Sequence, residues 1–186
     1  MAKTKMNATR IAILVAVAGM IFSSVGLTLV LLLQPDSSNS SQADQAKLQQ
    51  QIQEQQQKEA SMPKEPLPGY ESSSFDPASV TELKVETLKQ GEGAAATKES
   101  TVTANYFGWT SDGNIFDSSN KGGTVTPIAF PLNKVIPGWT EGLNGVKQGS
   151  VVKLTIPGEQ AYGNTDNGDG RPFGPLVFIV ELTEVK

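Results

Sequence analysis

Hydrophobic and polar residues divide this chain of 186 residues into three successive segments. Residues 11–33 form one uninterrupted apolar run, residues 34–79 are rich in Gln, Ser and Pro, and residues 80–186 carry short apolar stretches separated by turn residues. Each pattern is typical of a different environment. We therefore predict a membrane-spanning helix, a linker and one globular domain, with a basic N-terminus at residues 1–10.

The apolar run of residues 11–33 is long enough to cross a membrane. It holds 23 consecutive residues without a charge. At about 1.5 Å per residue it reaches roughly 34 Å as a helix, enough for a hydrocarbon core of about 30 Å. A cleaved secretory signal is the alternative, but its apolar region usually spans about 7–15 residues. The length therefore favours an uncleaved signal-anchor helix.

Charges on either side of this run predict its orientation. Lys3, Lys5 and Arg10 precede it, whereas Asp36 and Asp44 follow it before the next Lys. The positive-inside rule then places the N-terminus in the cytoplasm and the rest of the chain outside. We expect a single-pass membrane protein with an extracytoplasmic domain, and the short basic N-terminus fits a bacterial plasma membrane.

The polar segment of residues 34–79 is predicted to be a flexible tether. Its Gln-rich part, residues 45–60, favours a helix because Gln, Glu, Lys and Ala are good helix formers. Leu48 and Ile52 are too few apolar residues to sustain a coiled coil. The three prolines within residues 63–68 then stop the helix. We expect a monomer whose domain is held away from the bilayer.

Alternating apolar positions after residue 80 predict an antiparallel sheet. Residues 83–87, 101–106 and 152–156 alternate apolar and polar side chains, as half-buried strands do. Residues 176–182 are apolar on both faces until Glu181, which predicts a strand in the centre of the sheet.

One short helix fits this domain. Pro137 suits a first helical position, and Trp139, Leu143 and Val146 share one face at helical spacing. Gly145 lies close enough to the end to help stop the helix. The predicted fold class is α+β, with an antiparallel sheet of about five strands whose apolar face is covered by the helix.

The composition excludes several kinds of active site. The chain has no His and no Cys, so His relays, thiol nucleophiles and His/Cys zinc sites are absent. The net charge is −4, and no cluster of Lys and Arg suggests a nucleic-acid surface. We therefore expect no metal, no cofactor and no nucleic-acid partner.

Aromatic residues in the second half of the sequence lie in short motifs that fit one shallow apolar pocket. Five of them stand in such motifs: Tyr106, Phe116, Trp139, Tyr162 and Phe178. The chain is only 6% aromatic, and these five are among its twelve Trp, Tyr and Phe residues. The pattern predicts a site that binds an apolar, uncharged group.

The motifs around these residues resemble those of the FKBP family of peptidyl-prolyl cis–trans isomerases. FDSS, VIPGW, AYG and LVFIVEL occur in family order and at family spacing, and the resemblance covers residues 80–186. It implies a twisted antiparallel sheet wrapped around the short helix, with the pocket between them. None of residues 1–75 takes part in the resemblance.

The resemblance also implies roles for individual residues. Trp139 would be the floor against which a proline ring rests. Tyr162 would offer its hydroxyl to a substrate carbonyl, and the Ile136 N–H would hold a second one. Asp117 would act at the pocket edge, near Tyr106, on the carbonyl side of the amide. The catalytic candidates are Tyr106, Phe116, Asp117, Trp139 and Tyr162, and the substrate-binding candidates are Ile128, Phe130, Val135, Ile136 and Phe178.

Some positions depart from the family pattern. Ile128 stands where an aromatic residue is frequent, so that pocket wall is expected to be thinner. Residues 120–123 lack the arginine that often pairs with the aspartate, and residues 164–175 carry Arg171-Pro172-Phe173 instead of an Ile-Pro-Pro run. Without the motifs, the aromatic residues are as consistent with an ordinary hydrophobic core as with a binding pocket. Asp117 is likewise consistent with a turn residue.

Isomerisation of an X–Pro bond suits a site without nucleophiles. The barrier of about 20 kcal/mol comes from amide resonance, and the twisted amide, being less polar than the planar one, loses less in a dry cavity. The predicted function is a peptidyl-prolyl isomerase that assists the folding of proline-containing polypeptides at the outer face of a membrane. The alternatives are a catalytically weak, membrane-tethered FKBP-like binding or chaperone module, and a structural envelope protein, which would need coiled-coil periodicity.

Overall fold

The computed structural model describes residues 42–186 of the chain. The predicted N-terminal segment and membrane span, residues 1–33, lie outside the described residues. Within residues 42–186, no helix is both long and apolar enough to span a membrane. The elements from residue 54 onward belong to one compact unit.

The Gln-rich segment forms a helix, α1 (Gln42–Ser61). This confirms the helix predicted over residues 45–60 and extends it slightly at both ends. The helix ends just before Pro63, where a proline ring and its missing N–H would interrupt the hydrogen-bond ladder.

Nine strands follow in the described part of the chain. They are β1 (Lys64–Glu65), β2 (Lys84–Lys89), β3 (Thr101–Trp109), β4 (Ile115–Ser118), β5 (Asn120–Lys121), β6 (Thr124–Val125), β7 (Ile128–Pro131), β8 (Val151–Ile156) and β9 (Leu176–Val185). Helix α2 (Pro137–Gly142) lies between β7 and β8, and three short 3₁₀ turns cover Pro77–Ser79, Leu132–Lys134 and Gly158–Gln160.

Six strands form the main antiparallel sheet, one more than the approximate number predicted. Its order is β2-β8-β9-β3-β4, and β7 pairs with the other half of the β3 edge. Strand β9 lies between β8 and β3, as predicted from its apolar residues on both faces. The short strands β1, β5 and β6 form a second, three-stranded sheet.

One face of the main sheet packs against helix α2. Val102 and Ala104 from β3, and Leu154 and Ile156 from β8, are fully buried on this front face. The helix approaches β8 closely through Gly138, where an added Cβ would overlap the side chain of Ile156. The fold class predicted from the sequence, an antiparallel sheet with one short helix on its apolar face, is confirmed for this domain.

Helix α2 is shorter than the pattern of apolar residues suggested. It ends at Gly142 with Leu143 as its C-cap, so Val146 lies beyond it. Gly145 has a φ of +85°, a left-handed conformation that glycine adopts without strain and that turns the chain away from the helix axis.

The opposite, back face of the sheet is covered by residues that precede residue 80. Leu67 is buried there with Phe107 and Trp109, and Tyr70 and Phe75 pack against the same cluster. Residues 34–79 were predicted to be a linker, yet the ordered elements of the domain begin with β1. The sequence signal was present in Leu67, Tyr70 and Phe75, three large apolar residues in an otherwise polar segment.

Strand β2 is more exposed than its alternating sequence predicted. All six of its residues are exposed, and Val85 retains 42% of its accessible surface. The strand lies at the edge of the sheet and pairs with β8 alone, and its side chains remain accessible to solvent. Its charged residues, Lys84, Glu86 and Lys89, are suited to such an edge because they discourage pairing with another strand.

Candidate active site

The candidate residues converge on the front face between the sheet and helix α2. Three of them, Tyr106, Trp139 and Phe178, are buried members of one hydrophobic cluster. Six more are partly buried and pack against it: Phe116, Ile128, Phe130, Val135, Ile136 and Tyr162. The tenth, Asp117, is half-buried beside them on β4. Residues that are far apart in sequence therefore lie together in one candidate site.

Trp139 lies at the centre of this cluster. Its ring meets the rings of Tyr106 and Phe178 edge to face, each with centroids 5.4 Å apart, and that of Phe130 at 5.3 Å. Aromatic pairs prefer such edge-to-face geometry because the positive ring edge faces the negative ring surface. Since three rings pack against it, Trp139 is held in one orientation.

Phe116 completes the aromatic set on the β4 side. Its ring packs edge to face on Phe178 at 5.6 Å. Both rings lie over Gly108 of β3, where an added Cβ would come within 2.5 Å of the Phe178 ring and 2.9 Å of Phe116. The missing side chain at position 108 therefore makes room for the two rings.

One charged residue borders this apolar cluster. The Tyr106 hydroxyl donates a hydrogen bond of 2.6 Å to Asp117 Oδ2, and the Ser118 N–H donates to Asp117 Oδ1 at 2.9 Å. Burial, the charge of Asp117 and this hydrogen bond all raise the pKa of Tyr106. Tyr106 therefore stays protonated at neutral pH and keeps the carboxylate in place.

Ser119, the second residue after Asp117, holds the backbone around Tyr106. The Ser119 side chain accepts from the Tyr106 N–H at 2.9 Å and lies 3.1 Å from the Tyr106 carbonyl oxygen. The Ser119 N–H donates to the same carbonyl at 2.8 Å. These bonds fix β4 and the start of β5 against β3, and the sequence reasoning had not assigned them any role.

Tyr162 lies at the rim, just after the 3₁₀ turn Gly158–Gln160. Burial, followed by the negative charge of Asp117, raises its pKa, whereas the nearby Arg171 lowers it. The Arg171 guanidinium lies over the Tyr162 ring, 5.4 Å from its centroid, and is bonded to Asp169. The Tyr162 hydroxyl is thus a protonated donor at neutral pH.

A backbone donor is also available near the floor. Within residues 42–186, the Ile136 N–H makes no hydrogen bond, whereas the Ile136 carbonyl accepts from the N–H groups of Trp139 and Thr140. Ile136 is the N-cap of α2, a position at which N–H groups have no partner inside the helix. The geometry is compatible with the predicted contact to a ligand carbonyl.

The described residues contain no group of acidic side chains arranged to bind a metal ion. The site instead combines an aromatic floor, neutral donors at Ile136 and Tyr162, and one carboxylate. This set can bind an apolar ring and hold carbonyl groups, without a covalent intermediate.

Comparison with known proteins identifies the family. A family model described as FKBP-type peptidyl-prolyl cis-trans isomerase matches residues 92–183. The FK506-binding protein of Neisseria meningitidis serogroup B is 40% identical over 104 residues, which cover 95% of that protein and 55% of this chain. The chain belongs to the FKBP family of peptidyl-prolyl cis–trans isomerases. Its FKBP domain contains all ten candidate residues.

Longer relatives and solved structures also match this chain, over different shares of its length. FkpA of Escherichia coli K12 is 44% identical over 108 residues, 58% of this chain, but the match spans only 39% of that protein. The crystal structure of Escherichia coli FkpA matches with a TM-score of 0.50 at 32% identity, covering 99% of this chain and 75% of that one. A crystal structure of a Pseudomonas syringae peptidyl-prolyl cis-trans isomerase also matches with a TM-score of 0.50, at 29% identity. The match covers 81% of this chain and 99% of that one.

Proposed function

We propose that the FKBP domain catalyses cis–trans isomerisation of X–Pro bonds in polypeptides. The observation that carries the proposal is the rigid aromatic floor at Trp139, bordered by the Tyr106–Asp117 pair. An apolar proline ring fits such a floor, and the neighbouring donors suit the peptide carbonyls on either side of it. Family membership supports the same activity.

The proposed mechanism is preferential binding of the twisted amide. Rotation about the C–N bond breaks amide resonance, which reduces the charge separation between oxygen and nitrogen. The apolar wall of Phe178, Phe116 and Trp139 therefore favours the twisted form over the planar one. Every 1.36 kcal/mol of that preference is worth about tenfold in rate.

Polar groups at the rim orient the substrate in this mechanism. The Tyr162 hydroxyl and the Ile136 N–H would each donate to a substrate carbonyl. Asp117, held by Tyr106 and Ser118, would act on the carbonyl side of the rotating amide through its field. No proton is transferred, so the chemistry needs neither His nor Cys.

We also propose that the domain acts at the outer face of a membrane. The support is the uncharged run of residues 11–33 and the basic residues before it. Clients would be exported, proline-containing polypeptides. Uncatalysed isomerisation of their X–Pro bonds takes tens to hundreds of seconds and can limit the rate of folding. The enzyme would work as a monomer on a polar tether.

The activity can be tested with the purified full chain and a short peptide that contains one X–Pro bond. We expect isomerisation well above the rate in buffer, and we expect Trp139→Ala to lower kcat/KM by at least about tenfold because the floor is removed. Trp109→Ala is the matched control, since Trp109 is as deeply buried but lies on the back face.

Both Trp variants should lose about 3–5 kcal/mol of stability, so kcat/KM is compared per folded molecule at low temperature. Trp109→Ala should then lose much less kcat/KM than Trp139→Ala, because Trp109 lies on the back face and does not belong to the cluster around Trp139. A wild-type chain that binds the peptide without accelerating isomerisation would support the binding-module alternative. Equal losses of kcat/KM per folded molecule in both variants would show that Trp139 has no specific role as the floor.

A further inference from the structure

A segment that precedes the residues matched by the family model lies beside the strand that carries Asp117. Residues 63–75, here called the N-terminal arm, begin with β1, which pairs with β5 so that Glu65 faces Asn120. Strand β5 follows β4, the strand that carries Asp117. The arm therefore lies against the part of the chain that supplies the carboxylate.

Ser118 joins the arm to the active site. Its hydroxyl donates to the Glu65 carbonyl at 2.6 Å and accepts from the Asn120 N–H at 2.9 Å. Ser118 is fully buried and directly follows Asp117, whose Oδ1 accepts the Ser118 N–H. Because Ser118 bonds to both Glu65 of the arm and Asp117, a shift of the arm would displace Asp117 through Ser118.

Asn120 and Lys64 make two further links. The Asn120 side-chain amide donates to the Pro66 carbonyl at 2.7 Å, and Asn120 is only 5% exposed. The Lys64 ammonium donates to the Phe116 carbonyl at 2.6 Å. The arm thus bonds to the chain on both sides of Asp117.

The arm is itself fixed to the back face of the sheet. Leu67 is 4% exposed, and Phe75 packs against the same cluster. The Trp109 indole N–H donates to the Ser73 carbonyl at 2.9 Å, and the Phe75 N–H donates to the Ser111 carbonyl at 2.9 Å. Since its far end is anchored on β3 and the following turn, the arm can act as a rigid support.

Strand β4 needs such a support. It has four residues, lies at the sheet edge and pairs with β3 through three residues across a register shift. Catalytic groups must be held closely, since a misplacement of about 1 Å can cost roughly 100-fold in rate. Few backbone hydrogen bonds between β3 and β4 hold Asp117. Its position therefore depends on hydrogen bonds from outside this strand pair.

We propose that the N-terminal arm is a positioning element of the active site, and that Ser118 and Asn120 are positioning residues. They tie β4 to the arm so that Asp117 stays against the Tyr106 hydroxyl. The effect on catalysis rests on the proposed isomerase function. The functional unit accordingly starts at residue 63, well before the segment matched by the family model.

Asn120→Asp in the full chain tests this link. The substitution keeps the shape of the side chain but replaces the donor to the Pro66 carbonyl with a carboxylate oxygen, which repels it. We expect kcat/KM to fall about tenfold, as for a small displacement of a catalytic group. Asn144→Asp, the same change at an exposed position after α2, should leave kcat/KM unchanged.

A double-mutant cycle separates positioning from general destabilisation. In an Asp117→Leu background the carboxylate is absent, so Asn120→Asp should cause no further loss of kcat/KM per folded molecule. Leu67→Ala, which removes arm packing but keeps the hydrogen bonds of Ser118 and Asn120 to the arm, should lower kcat/KM per folded molecule less than Asn120→Asp does. Independent, multiplying losses from Asn120→Asp and Asp117→Leu would overturn the proposal.

Hydrogen exchange gives a readout that does not depend on activity. The amides of Ser118 and Ser119 donate to Asp117 and to the Tyr106 carbonyl, so Asn120→Asp should speed their exchange several-fold while Asn144→Asp does not. If the wild-type chain proves inactive, the proposed function fails. The exchange rates of Ser118 and Ser119 then still show whether the arm holds β4 in place. Unchanged exchange together with unchanged kcat/KM would refute the arm's role.

Discussion

Tyr106 and Asp117 place a hydrogen-bonded polar pair at the edge of an apolar pocket. A buried hydroxyl without a partner costs about 1–3 kcal/mol, so the 2.6 Å bond to Asp117 is needed for Tyr106 to lie among aromatic rings. In return, the bond holds one oxygen of Asp117 in a fixed direction. The side chain that lines the pocket therefore also orients the only carboxylate among the ten candidate residues.

Tyr162→Phe tests the second rim hydroxyl. Removing one hydrogen bond to a substrate carbonyl should lower kcat/KM about three- to tenfold, while stability changes by about 0.5 kcal/mol or less. Because burial and Asp117 raise the Tyr162 pKa, the hydroxyl is protonated below that raised value, and the loss should be constant from about pH 6 to 9. The measurement is a pH profile of both proteins in the isomerisation assay.

Tyr70→Phe is the control for this substitution. Tyr70 belongs to the N-terminal arm, but the arm's bonds to β4 and β5 come from Lys64, Glu65 and Pro66 and not from the Tyr70 hydroxyl, so removing that hydroxyl should leave the profile unchanged. A wild-type rate from Tyr162→Phe at every pH would exclude a substrate contact by that hydroxyl.

At the level of elements, helix α2 depends on its packing against the sheet. It has six residues, including Pro137, Gly138 and Gly142, and so short a helix is not stable alone. Gly138 lets the first turn approach Ile156 without a side chain between them. That approach sets the depth at which Trp139 enters the cluster.

Gly138→Ala should therefore destabilise the domain by about 1–3 kcal/mol, because the new methyl group overlaps Ile156 and pushes α2 outward. Activity should fall as Trp139 moves. The measurements are denaturant unfolding and kcat/KM of the variant.

Gly142→Ala makes the same change at the other end of the helix. Its Cβ would lie 2.9 Å from the flexible end of Leu154, which can move aside, so the loss should be much smaller. Equal losses in both variants would show that close approach at Gly138 does not set the depth of α2.

At the scale of the whole molecule, the domain uses both faces of one sheet. The front face holds the aromatic cluster around Trp139 together with α2, and the back face holds the N-terminal arm. In sequence, the arm follows α1 directly, so the same segment that supports β4 connects the domain to the preceding chain. A domain that started at residue 80 would leave the back-face cluster without Leu67, Tyr70 and Phe75.

The predicted topology can be tested in cells whose wall has been removed. A protease added outside should degrade the FKBP domain and spare the first residues, because Lys3, Lys5 and Arg10 favour the cytoplasmic side. Immunoblots against tags at the two ends provide the measurement. A domain that is protected until the cells are lysed would reverse the predicted orientation.

The sequence alone determined the features that depend on local pattern. A strand places alternate residues on opposite faces, so Val102, Ala104 and Tyr106 were predicted on one face and are buried there. The central position of β9 followed from its apolar residues on both faces, and the motifs predicted the ten residues that meet at the pocket.

Only the tertiary structure decided which distant segments pair. The burial of Leu67, the pairing of Glu65 with Asn120 and the exposure of β2 depend on partners distant in sequence, or on the lack of a partner at a sheet edge. A proline-rich segment with scattered apolar residues has no period that would show such pairing. Its order comes from hydrogen bonds and packing that exist only once the sheet has formed.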